Sequence, residues 1–131
     1  MKDASFVLVV EDDKPCADLL KYILSRDGYQ VMLAEDGLAA QTRINTLAQP
    51  PQLVILGLIL PFVDGYQLLQ QIRSKPEWAD TRVIVLSSKN LEQDIVQAFE
   101  LGASDYVTKP FQLGELLARV RSQINSGQQH D

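Results

Sequence analysis

The chain has 131 residues, 46% of them hydrophobic, which suits one compact domain with its own core and leaves no room for a second. A formal net charge of −5, with 12 scattered Lys and Arg residues, excludes the concentrated positive charge that nucleic acid or an anionic membrane surface requires. Cys16 is the sole cysteine, so no disulfide forms within the chain; Met1–Ser5 leads straight into an apolar run without a cleavage signal, and a cytoplasmic location is expected.

The first strand is expected at Phe6–Val10, followed by a helix with Cys16, Leu20, Ile23 and Leu24 on one face, closed by Gly28. A second strand at Val31–Ala34 precedes a helix carrying Ala40, Ile44, Leu47 and Ala48. The third apolar run is Leu53–Leu60; Asp64-Gly65 then caps a helix that buries Leu68, Leu69 and Ile72. Trp78, in the following loop, is expected to cover the sheet edge. The fourth pair is Val83–Leu86 and a helix entered at Asn90, with Leu91, Ile95, Ala98 and Phe99 as its stripe and Gly102 as its end. The fifth is Tyr106–Val107 and a helix with Leu113, Leu116, Leu117, Val120 and Ile124 inward.

The apolar runs are rich in Val, Ile and Leu and do not alternate with polar residues, the mark of strands buried on both faces of a parallel sheet. Right-handed crossovers then make an α/β fold, a doubly wound, five-stranded sheet with five helices in three layers, over residues 1–125; residues 126–131 read as a polar tail or linker stub. Chemistry in such a sheet collects at the carboxyl ends of the strands, where their order reverses. The loops placed there carry Glu11-Asp12-Asp13, Gly57, Ser87-Ser88 and Thr108-Lys109.

At these residues the chain resembles the receiver domains of two-component response regulators, over nearly its whole length. Phe6-Val7-Leu8-Val9-Val10-Glu11-Asp12-Asp13 resembles the first strand and acidic pair, Val83-Ile84-Val85-Leu86-Ser87-Ser88 the fourth strand, and Gly102-Ala103-Ser104-Asp105-Tyr106-Val107-Thr108-Lys109-Pro110-Phe111 the fifth with its lysine. The resemblance implies a flavodoxin-like strand order 2-1-3-4-5. It also implies Mg2+ held by Glu11 and Asp12, phosphoryl contacts from Ser87 and Lys109, a rotameric switch at Tyr106, and often a cis bond before Pro110. A sensor histidine kinase or other signalling protein is the implied partner, with homodimerisation through helix 4, strand 5 and helix 5. The last helix resembles that of receivers joined to winged-helix domains, although Ser104 departs from the acidic residue common there.

One position departs decisively. Between Leu53-Val54-Ile55-Leu56 and Leu58-Ile59-Leu60-Pro61 the family has a phosphate-accepting aspartate, and this chain has Gly57. Phosphoryl transfer needs an oxygen nucleophile held in line, and glycine has none. The expectation is a receiver-like interaction module, not an enzyme, that takes no phosphate at position 57 and binds Mg2+ weakly or not at all. Lys109, without its usual anionic partner, is expected to reach Asp12 or Glu11. Asp13 reads as a helix cap and Asp64-Gly65 as a turn and cap, while Asp13, Asp64, Ser87 and Thr108 are the alternative acceptors by proximity. Competing readings are a receiver normally phosphorylated but carrying a substitution at position 57, and a small enzyme or flavin binder on the same sheet. His130, the only histidine, lies in the tail, which argues against a catalytic triad with an internal base.

Overall fold

The computed structural model describes residues 6–128. Five strands alternate with five α-helices: β1 (Phe6–Val10), α1 (Lys14–Arg26), β2 (Gln30–Ala34), α2 (Gly37–Thr46), β3 (Leu53–Leu56), α3 (Gly65–Ser74), β4 (Arg82–Ser87), α4 (Glu92–Glu100), β5 (Asp105–Thr108) and α5 (Leu113–Gln128). All strand pairs are parallel, in the order β2-β1-β3-β4-β5.

The unbroken apolar strands bury both faces, and period two decides which residue goes where. Leu8, Val10, Val54, Leu56, Val83 and Val85 face one core with Ala40, Ile44, Leu68, Leu69 and Ile72 from α2 and α3. Val7, Val9, Leu53, Ile55, Ile84 and Leu86 face the other with Leu20, Leu24, Leu116, Val120 and Ile124 from α1 and α5. The helices start where the sequence places caps: Asp13 accepts from Cys16 N at 3.1 Å, and Asp64 and Gln67 form a capping box on α3.

Several expectations need correction. The run Leu53–Leu60 is a strand only to Leu56; beyond Gly57 the chain turns, and Leu58 O accepts from Gly65 N at 2.9 Å. Helix α2 ends at Thr46, so Leu47 is its C-cap and Ala48 lies outside it. Helix α4 is entered at Leu91, one residue after Asn90, with Asp94 Oδ2 accepting from Leu91 N at 3.3 Å. Of its apolar stripe only Ala98 is buried, and Leu91 and Phe99 are exposed, because α4 packs on the sheet through its smallest side chain. Leu113 is likewise exposed. Trp78 does not cover an edge. It sits in a 3₁₀ turn at Pro76–Trp78 ahead of interior strand β4 and is buried in the core beside α3. Helix α5 continues through Gln128 into the segment read as a tail, and His130 lies outside the described residues.

Two glycines mark close approaches or forced backbone that matter for the site. Gly102 has φ 108° and lies against Arg73, whose Nε donates to Gly102 O at 2.9 Å and whose Nη1 donates to Thr81 O at 2.8 Å. Gly65 packs on the turn after β3 so tightly that a Cβ would overlap the Gly57 carbonyl oxygen and come within 2.7 Å of Leu58 Cα. Gly65→Ala is therefore expected to destabilise the domain by about 2 kcal/mol or more, since only backbone could move aside. Gly114→Ala on α5, where a Cβ meets nothing within 4 Å, should stabilise it by about 0.5 kcal/mol. Urea denaturation of the two variants checks both signs.

Candidate functional site

Glu11, Gly57 and Lys109 stand one position beyond the end of a strand and Ser87 is the last residue of β4, while Asp12 lies two positions beyond β1 and Tyr106 within β5; main-chain hydrogen bonds to neighbouring strands fix three of them. Glu11 N donates to Ala34 O at 3.1 Å, Gly57 N to Val10 O at 2.9 Å, and Lys109 N to Ser87 O at 2.9 Å. Parallel pairing brings these ends to one edge of the sheet, at the β1/β3 boundary where strand order reverses. There a shallow cavity of about 400 Å³ is lined by Glu11, Asp12, Asp13, Gly57, Ser87 and Lys109, among others. The structure thus brings together the whole expected constellation except Tyr106, which lies to one side.

Lys109 Nζ donates to Glu11 Oε1 at 2.8 Å. It follows β5, whereas Glu11 follows β1, and β3 and β4 lie between them. At about 4.8 Å per strand step the span is roughly 14 Å, bridged by two long side chains over the ends of the intervening strands. Gly57, at the end of β3, puts no side chain in the way. Glu11 is 4% exposed and its other oxygen, Oε2, accepts from Asp13 N at 3.0 Å, so both carboxylate oxygens are engaged. Asp12 is exposed and makes no ion pair among the described residues.

Burial draws the Lys109 ammonium down, but the hydrogen bond and charge of Glu11 outweigh it and hold the group above its ordinary 10.5. Cys16, half-buried on α1, is pushed up to about 11 by burial and by the Glu11 charge. Its thiol stays protonated at neutral pH and is no nucleophile.

Gly57 itself is unstrained. A Cβ there would lie 3.3 Å from Val10 O, 3.5 Å from Leu60 Cδ2 and 3.9 Å from Glu11 Oε1, so a side chain would fit after a shift of a few tenths of an ångström. Glu11, Asp12 and Asp13 are the carboxylates that line the cavity, and among the described residues no group of three or more His, Cys, Asp or Glu is arranged to hold a metal ion.

Lys89, which the sequence reading passed over, joins the site to the face beside it. Its N donates to Ser87 Oγ at 3.1 Å, and its carbonyl accepts from the Tyr106 hydroxyl at 2.6 Å. Its ammonium lies 3.7 Å from Asp94 Oδ1 and 5.5 Å from the centre of the Tyr66 ring, and Tyr66 donates to Asp94 O at 3.1 Å. No periodicity or motif marks such a hub, since its two central bonds are made by main-chain atoms. The bond between Lys109 and Pro110 is cis.

A five-stranded parallel sheet in this order, with an acidic pair after β1, a hydroxyl at the end of β4 and a lysine after β5, defines a receiver-type signalling domain. The chain belongs to the response regulator receiver domain family, whose sequence pattern matches residues 7–121. It is similar to the non-phosphorylated HemR receiver domain from Leptospira biflexa, with 33% identity over 92% of this chain and 94% of that one, at a TM-score of 0.83. It is similar too to the receiver domain of the Francisella response regulator 1452, with 31% identity, 93% and 98% coverage and a TM-score of 0.84. The manganese-bound form of response regulator Rcp1 matches at 29% identity, 90% of each chain and a TM-score of 0.77. The family is a signalling module.

Because the folded state raises the Lys109 pKa, it holds that proton more tightly than the unfolded chain does. The resulting stability is fully present below the ordinary lysine value and is lost as pH rises through the folded one. Urea unfolding from about pH 9 to 11.5 should show a decline in which the raised Cys16 thiol and the partly buried tyrosines share, and whose part above about 10.5 is smaller in Lys109→Met than in the parent chain. At neutral pH that variant, which leaves the Glu11 carboxylate buried without its counter-ion, should lose about 3 kcal/mol, the low end for a broken buried pair.

Proposed function

We propose that the chain is a receiver domain of two-component signalling that works as a protein-interaction module without phosphorylation at position 57. The observation that carries this reading is the pairing of Lys109 with Glu11 over a residue with no side chain. The cation that would neutralise a phosphoryl group's charge is engaged by an acid of the metal pair, and no oxygen nucleophile follows β3. The alternative acceptors are poorly placed: Asp13 and Asp64 are spent as caps of α1 and α3, and Ser87 is 3% exposed with Lys89 N on its hydroxyl. Thr108 is exposed at the end of β5, with no cation bonded to it.

The donor set is a poor fit to Mg2+, which demands octahedral oxygen coordination. Glu11 has both oxygens bonded and Asp12 stands alone, so the ion is held weakly or not at all, unlike the manganese in its similar structure. That a Cβ at Gly57 needs only a small shift from the Val10 carbonyl oxygen also favours the second reading: the scaffold of a phosphorylated receiver, with the acceptor replaced and the remainder intact.

Partner binding falls to the face of α4, β5 and α5. Leu91, Val96 and Phe99 are exposed there, beside a groove of about 260 Å³ lined by Ile95, Tyr106, Phe111 and Arg119. A sensor histidine kinase, another signalling protein or a second copy of the chain are the partners such a face suits, in the cytoplasm and without direct nucleic-acid contact. No described helix is long and apolar enough to cross a membrane.

Intact mass after treatment with acetyl phosphate and Mg2+ should show no added phosphoryl group; a stable adduct sinks the reading. Sedimentation should show concentration-dependent dimers that Phe99→Glu returns to monomers, whereas a chain that stays monomeric at every concentration removes the homodimer.

A further inference from the structure

The turn between β3 and α3 holds a strained residue whose side chain the fold does not use. Pro61 O accepts from Val63 N at 2.9 Å, closing a three-residue turn around Phe62, which has φ 75°. A bulky L residue in this left-handed region sets its Cβ against the backbone, a conformation left mostly to glycine and asparagine. The Phe62 side chain is nonetheless 75% exposed, so core burial offsets none of that cost. The packing of the two loops imposes that φ on whatever residue stands there, so a phenylalanine kept where glycine or asparagine would relieve the cost, with its ring in solvent, points to a contact outside the domain.

The surroundings say what that contact is. The turn abuts the start of α2, where Gly37 N donates to Pro61 O at 3.2 Å, and the next residue, Leu38, is exposed. Ile59, at the front of the same turn, is exposed as well. The charges on the adjoining loops are Asp12, Asp13, Glu35, Asp36 and Asp64. The cations nearby are committed or set back: Lys109 pairs with Glu11, Lys14 with Asp18, and Arg43 lines the groove between α1 and α2.

We propose that Leu38, Ile59 and Phe62 form a docking patch with an acidic rim for a basic amphipathic helix of a partner protein, Phe62 being its anchor. Apolar side chains on such a helix cover the patch while its lysines and arginines meet the rim. Like charge disfavours a second copy of this patch and an anionic lipid surface. The patch is separate from the α4, β5 and α5 face, and it does not depend on whether position 57 takes phosphate.

The probe is a synthetic Leu/Lys amphipathic helical peptide titrated calorimetrically into the full chain, beside the same peptide with Ser for Leu. The Leu/Lys peptide should bind and the Ser/Lys peptide should not. Phe62→Asn, which suits the left-handed backbone, should weaken binding about tenfold or more while the melting temperature holds or rises. The proposal is overturned by no binding, by equal binding of the two peptides, or by affinity that Phe62→Asn leaves unchanged. A melting temperature lowered by Phe62→Asn would show that the phenyl ring serves the fold and overturn it too. So would co-sedimentation with phosphatidylcholine vesicles in place of peptide binding, which would assign the patch to a membrane.

Discussion

The ion pair between Lys109 and Glu11 is the interaction on which the rest of the site depends. It ties the end of β1 to the end of β5 across two intervening strands, with 2.8 Å between Nζ and Oε1. Three facts make it available. Parallel pairing puts both residues at the same edge, burial of Glu11 makes an unpaired carboxylate costly, and Gly57 leaves the path over β3 open. On the proposed reading, the pair neutralises one of the acids that would hold a metal and engages the cation that would stabilise a phosphoryl group. A residue without a side chain at position 57 thus goes with a paired Lys109 and Glu11 on a backbone whose strands are in parallel register.

The neighbouring face is built from weaker and more local forces. Ser87, Lys89 and Tyr106 form a short chain of hydrogen bonds from the end of β4 to the surface of β5, with the Lys89 main chain as its middle link. Tyr66 holds the start of α4 through Asp94 O. Helix α4 buries only Ala98, so its position rests on these polar ties more than on apolar area. Elements held this lightly are the ones a partner can shift.

Much of this was legible in the sequence. Five apolar runs without alternation fix a parallel sheet, and Glu11, Ser87 and Lys109 at their ends mark the site. That Lys109 would turn to an acid follows from charge alone once Gly57 is noticed. What was illegible has physical reasons. Leu58 is buried like a strand residue but lies in a turn, so the run Leu53–Leu60 conceals where β3 stops. The stripe Leu91, Ile95, Ala98, Phe99 identifies an apolar face but not what covers it, and most of it faces outward. Trp78 is large enough to be buried from a loop. Lys89 acts through its main chain, and the φ of Phe62 is imposed by the close packing of two loops; neither leaves a residue-type signal.

On the proposed reading, the domain keeps the receiver scaffold without the acceptor side chain at position 57. The most direct measurement restores it: Gly57→Asp, treated with acetyl phosphate and Mg2+ and followed by intact mass beside the unaltered chain. The account predicts a Mg2+-dependent phosphoryl adduct on the folded variant and none on the parent. A folded variant that stays unmodified, or a parent modified to the same extent, would contradict it.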